Sequence, residues 1–347
     1  MRKKSDDTER NVEKFFNEFK NKKLGRVIKR ARWQTILRNI AISFLVFCVF
    51  YIAISCFVNT YISRRENAAY SYKFAFNNIS APNKHIGRAT RQFSPFRIRT
   101  DYTTYKIIEG KVVYTGKIEE SYIFPSLGMI MTECPPILDY NFDTEYFGYR
   151  RYNEFGQRVM VFFYPFVRYD SYEYMNDLGL LDDIGNEKYM EMALSFNREY
   201  TIEEVEKMLP EGTTVTWYWV DDLSENEKEM LKLPRAERVE MEPPIDLPVA
   251  RSEYTAYGIK LYDNCGEETP DPVGWFIYFI EEGRTEYKGE DEFDRIYNNI
   301  AGDDGKLIQD DIRIWGAVVT GNSESLKVLI GLPFIKASSL GVVTDKY

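Results

Sequence analysis

The sequence predicts an α+β protein. One N-terminal transmembrane helix leads into an extracytoplasmic α+β region, whose C-terminal part is a ferredoxin-like, split-βαβ sheet with a long insertion. Three observations lead there. Residues 40–62, IAISFLVFCVFYIAISCFVNTYI, are 23 consecutive uncharged residues. Charge divides sharply around them: residues 1–39 carry 13 Lys/Arg and 5 Asp/Glu, while the whole chain is −9, which leaves −17 for residues 40–347. Towards the C-terminus a strand–helix–strand pattern occurs twice, over 189–221 and again over 313–347.

The uncharged run is long enough to cross a bilayer. As a helix, 23 residues rise roughly 34 Å, against a hydrocarbon core of about 30 Å. A helix buried in a soluble core is rarely apolar on every face. A cleaved signal is a poor match, because the run exceeds a signal's apolar region and Arg64-Arg65-Glu66 follow it directly. Arg26, Lys29, Arg30, Arg32 and Arg38 outweigh Arg64 and Arg65, so the positive-inside rule places the N-terminus in the cytosol. Trp33 and Tyr61 fall near the two interfaces. The expected organisation is a cytosolic basic segment (1–39), a transmembrane helix (40–62), an extracytoplasmic β-rich module (63–185) and an extracytoplasmic C-terminal α+β module (186–347).

Within the inner segment, Val12, Phe15, Phe16 and Phe19 recur at helical spacing, and Val27, Ile28 and Ala31 do so after Gly25. This predicts a basic amphipathic helix, or two short ones. Two readings stand side by side. The apolar face rests on lipid while the charges set topology, or it docks into a groove of a cytosolic protein, with Phe15, Phe16, Phe19, Lys20, Val27 and Ile28 at the contact. The positive charge suits anionic lipid as well as nucleic acid, and direct nucleic-acid binding is not expected.

Outside, YSYKFAF (70–76) alternates and reads as a strand. TYKIIEGKVVYTG (104–116) reads as a hairpin turning at Glu109-Gly110. RVMVFFYPFV (158–167) is an apolar strand-like run, and TECPPILDYN (132–141) and LGLLDDIGNE (178–187) are connections. YMEMALSFN (189–197) reads as a strand, and REYTIEEVEKMLPEG (198–212) as a short helix with a Thr201/Glu204 capping box. TTVTWYWVD (213–221) then returns as a strand, with Val215, Trp217 and Trp219 on one face and the two tryptophans as core residues. RIWGAVVTG (313–321), a helix over 322–332 with Leu326, Leu329 and Ile330 inward, and a last strand in 338–347 complete the second unit. The insertion between them holds the acidic loop DNCGEETPDP (263–272), the apolar run WFIYFI (275–280) and a helix over 291–300.

Chemistry is sparse. His85 is the sole histidine, which excludes paired-His metal motifs. It lies in a polar stretch and reads as a surface loop residue. There is no G-x-S-x-G, no Walker loop and no C-x-x-C. AGDDGKLIQDD (301–311) lacks calcium-loop spacing and reads as a turn. Cys134 and Cys265 could pair, or stay as two buried free thiols. No cofactor and no enzymatic activity are expected.

Three stretches carry a resemblance. ARWQTILRNIAISFLVF (31–47), ALSFNREYTIEEVEKMLPEGTTVTWYWVD (193–221) and VVTGNSESLKVLIGLPFIKASSLGVV (318–343), with TYKIIEGKVVY (104–114), resemble the sigma factor regulator family of membrane-anchored anti-sigma factors. The resemblance implies a bacterial cell-membrane protein that controls an extracytoplasmic-function sigma factor. Its outer domain would sense the envelope state, and its inner segment would contact the sigma factor or a membrane partner subunit. The other reading is an anchored envelope receptor for cell-wall glycan or peptide.

Overall fold

A computed structural model describes residues 3–94, 96–125, 129–134, 137–138, 151–153, 155–169, 175–233, 237, 250–287 and 291–347. The chain forms two compact units, Met1–Ser63 and Arg64–Tyr347.

The first unit is helical. Helix α1 (Lys3–Ile79) includes the uncharged run and is long and apolar enough to cross a membrane. Side chains from Ile40 to Phe57 stand out from it, with Phe44 67% and Phe50 64% exposed. Near its end Thr60 Oγ1 donates to the Cys56 carbonyl at 2.8 Å. That is how hydroxyls are carried in an apolar medium.

The second unit begins with residues 64–79 of the same helix. The strand expected over 70–76 is therefore helical. Its aromatics fall at 70, 72, 74 and 76, a spacing that also yields i,i+4 pairs. Tyr70 stacks with Phe74 and Tyr72 with Phe76, at 6.2 and 5.9 Å between centroids. Continuity with the preceding helix decides between the two periods.

A four-stranded antiparallel meander follows: β1 (Lys84–Ser94), β2 (Arg97–Ile108), β3 (Lys111–Ile123) and β4 (Met129–Cys134), in that order. The β2–β3 turn falls at Glu109-Gly110, with φ of 49° and 74°. Both residues are left-handed, as a tight hairpin turn that matches strand twist requires. Short strands β5 (Ile137–Leu138), β6 (Arg151–Asn153), β7 (Arg158–Val159) and β8 (Val161–Phe163) come next. Helix α2 (Leu181–Ile184) occupies the connection expected over 178–187.

The main sheet starts with β9 (Lys188–Tyr200), α3 (Ile202–Met208) and β10 (Thr214–Val220). The Thr201/Glu204 capping box is formed in both directions. The insertion then supplies α4 (Glu225–Lys232), β11 (Ala250–Ser252, paired with β8), β12 (Gly258–Lys260), α5 (Pro272–Glu286) and α6 (Asp291–Ile300). Strand β13 (Ile314–Asn322), α7 (Ser323–Leu326) and β14 (Ile335–Asp345) close the chain. The strand order is β12-β10-β13-β9-β14, with every neighbouring pair antiparallel. The helix expected over 322–332 is only α7 and one 3₁₀ turn, Lys327–Leu329. Leu326 and Leu329 point inward, but Ile330 is 51% exposed. Gly331, at φ 77°, ends the turn before another face can form.

Both faces of this sheet are covered. Met190, Met192, Leu194, Phe196, Tyr218 and Val220 face α3, α5 and α6. Trp217, Trp219 and Trp315 face Phe162, Phe163 and Tyr164, whereas Val215, expected beside them, packs with the opposite face because the register shifts between Val215 and Trp217. Gly258 permits the tryptophan packing: a Cβ there would lie 1.9 Å from the Tyr218 carbonyl oxygen and 2.4 Å from the Trp217 ring.

Candidate functional site

The N-terminal part of α1 presents an exposed apolar face. Phe15, Phe16 and Phe19 are 67%, 68% and 53% exposed, Val27 and Ile28 are exposed after them, and Lys20 is exposed beside them. Phe15 and Phe19 stack at 6.3 Å, and Lys23 Nζ lies 5.6 Å from the Phe19 ring centre. Such a surface can bind by the mode in which an amphipathic helix fills an apolar groove. By contrast, Trp217, Trp219 and Leu326 are no more than 1% exposed.

A second candidate is a cavity of about 870 Å³ in the second unit, Arg64–Tyr347. Ala69, Tyr72, Lys73, Phe76 and Asn77 of α1 form one wall. Ile86, Ile118 and Glu120 of the meander and Tyr254, Glu286 and Tyr287 form the others. Two of its charges are paired. Lys73 Nζ pairs with the fully buried Glu120 and lies 4.2 Å from the centre of the Tyr102 ring. The Tyr122 hydroxyl donates to the other Glu120 oxygen at 2.9 Å. Burial, and then the Glu120 charge, raise both the Tyr102 and Tyr122 phenols above their usual range. A pocket with aromatic walls and a few placed polar groups can hold a ligand.

A buried ion cluster joins the meander to the main sheet. Lys106 Nζ meets Glu191 at 2.5 Å and Glu253 at 3.0 Å, and Lys106 is only 2% exposed. Glu191 also accepts from Val342 N–H at 3.1 Å, and Glu253 from Met160 N–H at 3.2 Å. Burial pulls the ammonium pKa down, but the two carboxylates together outweigh it and hold Lys106 above its usual range. None of these residues stood out in the sequence reading. A signal exists: Ile98, Thr100, Tyr102, Thr104 and Ile108 alternate on the buried face of β2, and Lys106 holds a place in that series. Glu191 likewise sits between Met190 and Met192.

His85 corrects an expectation. It is on β1 and 2% exposed, rather than in a surface loop. It stacks on Tyr105 at 5.4 Å, and Nδ1 lies 3.0 Å from Asn264 Oδ1. Burial first, and then the Lys260 charge, lower its pKa to about 4. The sequence hid this because its partners, Tyr105 and Asn264, are distant in the chain. Cys265, beside Asn264, is a free thiol and exposed, not buried. The Cys134 side chain lies outside the described residues. Among the described residues no cluster of His, Cys, Asp and Glu could hold a metal ion.

Residues 25–113 match the family model described as sigma factor regulator N-terminal, and residues 181–342 match sigma factor regulator C-terminal. No curated protein and no solved structure matches the chain. With both modules present in order and one long apolar N-terminal helix as a candidate membrane span, the chain belongs to the sigma factor regulator family and is an anti-sigma-factor-like regulator of sigma factors.

Proposed function

We propose that this regulator sits in a bacterial cell membrane with its N-terminus in the cytosol and Arg64–Tyr347 outside. In this reading the inner helix holds an extracytoplasmic-function sigma factor, directly or with a membrane partner subunit, and the outer unit responds to the envelope state. The observation that carries the inner half is the exposed row of Phe15, Phe16 and Phe19 on a basic helix within a sigma factor regulator. Large aromatics dominate interfaces of this kind, and the surrounding lysines speed encounter with an acidic partner more than they add affinity. We further take the outer unit as two modules, 63–185 and 186–347. The second is a ferredoxin-like variant. Its support is the order β10-β13-β9-β14, in which β9 and β10 run parallel around α3 and β13 and β14 run parallel around α7. Strand β12 extends that sheet at its β10 edge.

A pair of variants tests the inner contact. One changes Phe15, Phe16 and Phe19 to Ala; the other changes Lys20 and Lys23 to Gln. Transcription from the cognate promoter should rise strongly in the first and weakly in the second. Unchanged transcription in the aromatic variant, at normal protein level, would remove direct capture by this helix. The 870 Å³ cavity favours a second reading, an anchored receptor for cell-wall glycan or peptide. Retention of wild-type protein on purified wall material, lost when Tyr72 is changed to Ala, would support it.

A further inference from the structure

The β1–β2 hairpin ends in an apolar tip. Phe93 and Phe96 are 65% and 47% exposed, and Ile123 beside them is 36% exposed. The tip is held in shape. The Phe124 N–H donates to the Phe96 carbonyl at 2.8 Å, and Arg97 donates to Ser121 Oγ at 2.9 Å. Phe96 takes a left-handed φ of 64°, a strained conformation for a large side chain.

Contacts within the outer unit show which end of it carries the tip. Asn77 Nδ2 donates to the Lys84 carbonyl at 3.2 Å. Seven residues further along β1, Arg91 Nε meets Glu66 at 2.8 Å. Thr100, opposite Arg91 in the register, donates to the same Glu66 at 2.5 Å. Strand β1 therefore runs back along the helix, from Asn77 to Glu66. Ser94 lies three residues beyond Arg91, roughly 10 Å of strand. Only Arg64 and Arg65 precede Glu66 in this unit, and the uncharged run ends at Ile62. The tip thus extends past the N-terminal end of the unit's helix, where the chain leaves the apolar run.

We propose that this tip is a lipid-contacting surface. Phe93, Phe96 and Ile123 enter the interfacial layer of the leaflet from which the outer unit emerges, and Arg64 and Arg97 meet its phosphate headgroups. The chemistry suits that layer: aromatic and aliphatic groups lodge at the headgroup boundary, and guanidinium forks pair with phosphate. Position favours lipid over a protein groove, because covalent continuity with the apolar run keeps this end at the bilayer. The other end of the same meander, at Glu109-Gly110, lies a full strand length away. The proposal rests on reading residues 40–62 as a membrane anchor, whichever side the N-terminus occupies.

Full-length protein in nanodiscs of phosphatidylglycerol and phosphatidylethanolamine provides the test. A ketone-bearing phenylalanine analogue at position 93 carries a nitroxide, and the same label at positions 47 and 112 serves as reference. Phe47 lies in the apolar run, and Val112, 70% exposed, lies at the far end of the meander. Power saturation with oxygen and with a nickel chelate then reports depth. We expect the oxygen-to-nickel accessibility ratio at 93 to exceed that at 112 several-fold and to approach that at 47. A ratio at 93 equal to that at 112, with 47 in lipid, would overturn the lipid contact alone. Shielding of 93 from both reagents would mean a protein partner and would overturn it as well. An aqueous reading at 47 would remove the anchor, and the proposal with it.

Discussion

Two sets of aromatic residues in this chain do opposite things. Trp217, Trp219 and Trp315 of the second unit are at most 1% exposed and meet Phe162 and Tyr164 at close range. Phe15, Phe16 and Phe19 of the first unit are more than half exposed. Composition does not separate the two sets; the spacing of their neighbours does. The tryptophans alternate along strands whose other face is also apolar, so the sheet buries them on folding. The phenylalanines repeat at helical spacing among lysines, so one helix can order them without covering them. The three tryptophans therefore serve stability, while the three phenylalanines leave a surface exposed.

The contrast is sharpest where burial is deepest. Lys106→Met should destabilise the outer unit of the full-length protein by about 3–5 kcal/mol, because Glu191 and Glu253 would be left buried without their cation. Changing Glu191 to Met in the same protein should recover part of the loss. A single Lys106→Met variant with an unchanged denaturation midpoint would mean that the cluster is not closed in solution. Trp219→Ala should cost a similar amount, about 3–5 kcal/mol, through lost transfer energy and a cavity against Phe162 and Trp315. An unaltered melting temperature would place that ring at the surface.

His85 adds a pH dependence. Its folded pKa, about 4, lies below the ordinary 6.5. The unfolded chain therefore takes up a proton that the folded one refuses. The stability contributed is complete above about pH 6.5 and is lost as pH falls through about 4, with a total of about 3 kcal/mol. His85→Gln should flatten that acid limb in a denaturation series from pH 7 to pH 4. A variant with the same acid limb as wild type would show that other groups set it.

At the other extreme, the Phe15/Phe16/Phe19→Ala variant should leave the denaturation midpoint of the outer unit within about 0.5 kcal/mol, as for other exposed positions. A larger shift would mean that these rings take part in the fold after all.

What the sequence revealed follows the same division. Elements with one dominant period were legible: β9, β10, β13 and β14, the Thr201 cap, the turn at Glu109-Gly110 and the uncharged run. The inward strand positions of the tryptophans were equally plain. Local pattern failed where long-range context decides. Residues 70–76 satisfy both the strand and the helix period, and the helix before them settles the choice. His85, Lys106 and Glu191 are buried by partners far away in the chain, 179 positions off for the His85–Asn264 contact. The cavity unites α1, the meander and the insertion, which no window of sequence contains together.

The central claim is that this sigma factor regulator keeps the N-terminal part of α1 open, with its phenylalanines exposed, for the sigma factor. Co-purification tests it most directly. Full-length wild type and the Phe15/Phe16/Phe19→Ala variant would be solubilised from membranes, captured by a C-terminal tag and compared for bound sigma factor. We expect the wild type to bring down an extracytoplasmic-function sigma factor, and the variant, folded and equally abundant, to lose at least tenfold of it. Equal recovery from both would contradict the claim and move the contact away from this helix.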